Sequence, residues 1–133
     1  MIDRSIIKIA SEIKNYGLRN NFTHAASSKN KICGDKITIE LIVENKIIKD
    51  IRYELEACIF CQASISLLTK IIRNLSIEEW KVEIKKLQRK KSFQNIFLSK
   101  KLELLSKIFL KKYNIRYNCI ILPFNTLLKA INE

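Results

Sequence analysis

Two glycines and one proline are all that this 133-residue chain contains of the usual backbone punctuation. With so few, no linker or low-complexity stretch can be built, and the positions of Gly17, Gly34 and Pro123 become informative. Histidine occurs once, as His24, in a polar stretch where it reads as a loop residue rather than a ligand. Acidic residues are scarce beside basic ones, 13 against 25, which leaves a formal net charge of +12. Four cysteines are too few for a dense secreted disulfide scaffold. No apolar run approaches the ~18–20 residues of a membrane span. Residues 1–18 hold no uninterrupted apolar stretch and include Asp3 and Glu12, so the reading expects no targeting peptide. A cytoplasmic location follows as the expectation, with thiols reduced and free to act as ligands or nucleophiles.

Apolar residues at 47% and charged residues at 29% describe a globular chain. The length suits one domain, residues 1–133, with a real core. The positive charge fits nucleic acid, an anionic membrane surface or an acidic protein, and it also fits a simple bias towards lysine.

Ile2, Ile6, Ile9, Ala10 and Ile13 recur at helical spacing, predicting an amphipathic helix that ends at Gly17. Residues 18–31 are polar and read as a loop. From Lys36 the period becomes two. Ile37, Ile39, Leu41 and Val43 share one face; after a turn at Glu44-Asn45-Lys46, so do Ile51, Tyr53, Leu55 and Ala57. This predicts an antiparallel hairpin, with residues near Asn30-Ile32 as a candidate third strand. Cys58 falls at a strand-to-helix junction, where free N–H groups favour a thiolate. Ser76 with Glu79 makes a capping box for a helix that buries Ile77, Trp80, Ile84 and Leu87 and ends in Gln88-Arg89-Lys90-Lys91. Leu102, Leu105, Ile108 and Phe109 mark a further helix. A terminal helix carries Leu127, Leu128 and Ile131, with Pro123 in its first turn and Cys119 just before it.

Cys33, Gly34 and Asp35 precede the first hairpin strand, and Cys58 follows the second. The open end of a hairpin brings these positions together; Cys119 has to arrive by packing. Three thiolates and one carboxylate suit tetrahedral zinc or a small iron–sulfur cluster, and periodicity does not choose between them.

Three motifs, Cys33-Gly34-Asp35, Ala57-Cys58 with Ala63-Ser64 and Ser66, and Arg116 with Cys119 and Pro123, make the chain similar to the U-type iron–sulfur cluster assembly scaffolds: IscU, SufU and the N-terminal domain of NifU. The resemblance implies an α/β (α+β) fold, a small, mainly antiparallel sheet with helices packed on one side. It places Cys33, Asp35, Cys58 and Cys119 on the family's ligand positions. It implies a scaffold rather than an enzyme, holding a transient 2Fe–2S cluster made from iron and from sulfur supplied by a cysteine desulfurase, then passed to apo-proteins or carrier proteins. Cys33 and Cys119 are its candidate persulfide acceptors, with Arg116 in support. In the SufU branch the same four ligands hold zinc (Zn2+) and the protein acts as a sulfurtransferase.

Some positions depart from the pattern. Asn118 stands where IscU-like members have a histidine, and the segment from Tyr113 to Tyr117 lacks their proline-rich recognition sequence. Glu56 and Ala57 replace glycines, and Cys61 replaces a common serine. The spacing from Cys58 to Cys119 is longer than in IscU and resembles SufU. A basic nucleic-acid-binding module is the remaining reading of the charge; no RNP-like, helix-turn-helix or paired CxxC signature supports it, and the reading expects neither nucleic acid nor membrane as a partner.

Overall fold

The computed structural model describes residues 3–31, 34–94, 96 and 98–132. A three-stranded antiparallel sheet in the order β1-β2-β3 forms its base: β1 is His24–Asn30, β2 Asp35–Glu44 and β3 Ile47–Glu56. Alternation drives the central strand. Ile37, Ile39 and Leu41 are fully buried on the inner face of β2, while Lys36 is exposed on the other. Asn45 and Lys46 both adopt positive φ, 52° and 65°, which is the backbone of a tight two-residue hairpin turn.

The strand His24–Asn30 corrects the loop expected over residues 18–31 and places the third strand earlier than Asn30-Ile32. Its sequence hides the strand because the inward side chains are small and partly polar. Ala26 and Asn30 are buried there, and that shallow surface lets a helix lie close over β1.

The helices are α1 (Arg4–Ala10), α2 (Ile59–Ile71), α3 (Ile77–Lys90) and α4 (Tyr117–Ile131). Helix α4 lies on β1 and β2, α2 packs against α4 and α1, and α3 packs on α4. Phe60, Ile65, Leu68, Ile120, Phe124 and Leu127 form the core between sheet and helices. Helix α1 is shorter than predicted: it ends at Ala10, and Ile2 of the expected stripe lies outside the described residues. Gly17 does not cap it. At φ +108° it instead turns the chain beside β3, donating its N–H to the Tyr53 carbonyl at 2.8 Å, so that residues 15–17 shield the free edge of that strand.

Residues 100–107 and 111–116 are 3-10 helices rather than the α-helix expected. Leu102, Leu105 and Ile108 are buried at intervals of three, the period of a 3-10 helix. Helix α4 starts earlier than predicted, at Tyr117, so Cys119 lies inside its first turn and Pro123 within its body. Proline has no N–H, so the Cys119 carbonyl loses its ordinary helical donor. Burial of every residue from Cys119 to Phe124 outweighs that loss.

Candidate metal centre

Asp35 opens β2 on its inner face and is 3% exposed. A buried carboxylate requires hydrogen bonds. Here Oδ1 accepts the backbone N–H of Cys58 at 3.0 Å, and Oδ2 lies 3.7 Å from Cys58 Sγ. The sheet register makes this contact: Lys36 pairs with Glu56, so the first residue of β2 meets the chain leaving β3.

Cys58 is the N-cap of α2 in extended conformation, and its carbonyl accepts the first helical bond from Gln62 at 3.1 Å. It is partly exposed. Cys119 arrives in the first turn of α4 and is 1% exposed. The two sulfurs thus come from the N-cap of α2 and the first turn of α4. Among the described residues, the ligand atoms of Asp35, Cys58 and Cys119 lie within 4.8 Å of one another. Zinc–sulfur bonds of about 2.3 Å and zinc–oxygen bonds of about 2.1 Å set tetrahedral S···O separations of about 3.6 Å, so the Cys58–Asp35 distance fits two ligands of one ion.

Residues 2–101 match the family model of the NifU-like N terminal domain. The chain belongs to the NifU-like N-terminal domain family. It is also 34% identical over 136 residues to the iron-sulfur cluster assembly scaffold protein IscU of Thermotoga maritima, covering 100% of this chain and 94% of that relative. Two solved structures share the fold. A NifU-like protein (N-terminal) from Brucella abortus has a TM-score of 0.85 at 18% identity, covering 98% of this chain and 91% of that one. A putative iron-sulfur cluster assembly scaffold protein for the SUF system from Fervidobacterium islandicum has a TM-score of 0.81 at 22% identity, covering 98% and 96%.

Of the positions expected as ligands in this NifU-like chain, Asp35, Cys58 and Cys119 converge, and Cys33 lies outside the described residues. Gly34, beside it in sequence, has φ +72° and donates its N–H to the Asn30 carbonyl at 2.7 Å, closing the turn between β1 and β2. Arg116 is exposed immediately before α4, with its guanidinium 5.8 Å from the centre of the Phe60 ring, two residues beyond Cys58. Asn118 is exposed. His24 lies at the opposite end of β1 from Asn30, ~20 Å from the site at the usual rise of a strand. Cys61 is fully buried one turn into α2; burial, reinforced by the Asp35 and Cys58 charges, pushes its thiol pKa well up.

Asn30 is the residue that sequence reasoning missed. It pairs with Asp35 across the β1–β2 register and donates from Nδ2 to Cys119 Sγ at 3.9 Å. Its only sequence signal was its place at the candidate third strand, three positions before Cys33.

Proposed function

We propose that this protein is an iron–sulfur cluster assembly scaffold, with Cys33, Asp35, Cys58 and Cys119 as the ligands of a transient 2Fe–2S cluster. The observation that carries this reading is the convergence of Asp35, Cys58 and Cys119 from β2, α2 and α4. Family membership and the likeness to IscU of Thermotoga maritima support it. Sulfur comes from a cysteine desulfurase as a persulfide. A thiolate of this chain attacks the outer sulfur, the S–S bond breaks, and the desulfurase cysteine leaves as a thiolate. That exchange is redox-neutral; converting the transferred sulfur to sulfide takes two electrons from a separate reductant. Cys119 is almost fully buried, so this reading takes Cys33 as the first acceptor, with Arg116, an exposed charge just before α4, in support. Asp35 is a harder and less tenacious ligand than a thiolate, which suits a cluster that must leave for an apo-protein or carrier.

The 3.7 Å spacing of Cys58 and Asp35 also favours a second reading, in which the same ligands hold one zinc ion and the protein is a sulfurtransferase that activates the desulfurase. Iron, zinc and acid-labile sulfide per chain, measured on protein purified without oxygen, separate the two. Equal iron and sulfide support the scaffold, and one zinc without sulfide supports the transferase. Because zinc can fill an empty scaffold site during expression, the zinc form is then stripped and supplied with iron, cysteine, desulfurase and a thiol reductant. Failure to acquire sulfide removes the scaffold reading, and retention of neither metal removes both.

A further inference from the structure

We infer that Asn30 is a positioning residue for the metal centre, holding Cys119 through an amide N–H···S hydrogen bond and tuning how strongly that sulfur donates to a bound metal. This rests on the proposed ligand role of Cys119. Three observations converge on Asn30. It ends β1 directly opposite Asp35, so the two side chains enter the site as neighbours across the sheet. It is 9% exposed, and its Nδ2 lies 3.9 Å from Cys119 Sγ, within reach of a hydrogen bond to sulfur. Its backbone carbonyl accepts the Gly34 N–H at 2.7 Å, tying the end of β1 to the residue before Asp35. One residue thus anchors both the turn between β1 and β2 and a ligand arriving from α4.

The orientation of the amide follows from charge. Its carbonyl oxygen would repel a thiolate, whereas its N–H₂ group stabilises one. Asp35 serves Cys58 in a related way, by accepting the Cys58 N–H and fixing the start of α2. A hydrogen bond to a ligating sulfur withdraws electron density from it. It holds the ligand in place, weakens its donation to the metal and raises the reduction potential of a bound cluster. An uncharged amide does this without adding to the net charge of the site.

Cobalt(II) is the probe, because its thiolate-to-metal charge-transfer band reports on sulfur ligands directly. Wild-type protein, Asn30→Ala and Asn30→Leu, the last close to the amide in shape but without a donor, are titrated with cobalt(II) after circular dichroism has identified which variants are folded. Loss of the donor is expected to shift the charge-transfer band to longer wavelength, since a sulfur with one hydrogen bond fewer gives up its electron more readily, and to weaken cobalt binding about 10–100-fold through lost positioning. A wild-type band and wild-type affinity in a folded variant overturn the role of Asn30 and leave the site intact. Weaker binding with an unshifted band assigns Asn30 to packing alone and also overturns the inference. If Cys119→Ala leaves the wild-type spectrum unchanged, the ligand assignment itself fails. If both Asn30 variants are unfolded, the residue is a structural element of the fold and the tuning role is rejected.

Discussion

Two cysteines three positions apart have opposite surroundings. Cys58 is partly exposed, with its N–H bonded to Asp35 and its sulfur beside that carboxylate; Cys61 is sealed in the core, and burial keeps its thiol protonated. The partly exposed sulfur is the usable one, because a reagent must reach a cysteine to react with it and Cys61 is sealed off. Iodoacetamide is therefore expected to modify Cys58 well before Cys61 in the metal-free protein, as read by peptide mapping. Cys61→Ala should keep its metal and lose about 1 kcal/mol of stability, whereas Cys58→Ala should lose the metal. A Cys61→Ala protein without metal would reverse the assignment of the two. Asp35 and Cys58 were legible in the sequence because a hairpin must place its open ends together. Asn30 was not, because one amide among polar neighbours has no periodicity to separate it from a surface residue.

Elements defined by local chemistry were the readable ones. Ser76 Oγ accepts from Glu79 N at 3.2 Å and Glu79 Oε1 accepts from Ser76 N at 2.9 Å, completing the capping box expected of α3. Ser76→Ala should cost about 1 kcal/mol, read as a lower urea midpoint at unchanged slope. Elements defined by tertiary packing were not readable: β1 is a strand of small residues covered by α4, and α4 runs through Pro123 because its surroundings are buried on most sides. Helix α1 is seven residues long, too short to persist alone, and Asp3 ties it down. Asp3 caps it through the Ile6 N–H at 3.1 Å and receives the Tyr113 hydroxyl at 3.1 Å, with Lys112 Nζ 3.5 Å away. The Ile6 N–H and then the Ser5 hydroxyl do most to lower its pKa, from 3.8 to about 2, with Tyr113 and Lys112 adding to them against a desolvation cost. A carboxyl depressed in the folded state contributes its stability above its unfolded pKa and loses it as pH falls through the folded one. Thermal midpoints should therefore fall between pH 4 and pH 2 in wild type, and Asp3→Asn should remove that part of the fall, so that the two curves converge near pH 2.

At the scale of the whole molecule, the candidate ligands are far apart in sequence and come from the start of β2, the cap of α2 and the first turn of α4. The unfolded chain does not hold these positions together, so a metal that needs them all binds the native state preferentially. Binding then stabilises the entire fold by RT ln(1 + [L]/Kd), about 2.7 kcal/mol at a hundredfold excess over Kd. For a chain of this length that corresponds to about 10 °C in the unfolding midpoint. Calorimetry with and without zinc should show this rise, and a chelator should reverse it. Cys58→Ala and Cys119→Ala should unfold at midpoints that no longer respond to zinc, while Cys61→Ala should respond as wild type does. The same comparison separates the cluster of Asp35, Cys58 and Cys119 from adventitious binding elsewhere on a chain of charge +12. Binding that bypasses these ligands would give all three cysteine variants the same zinc response.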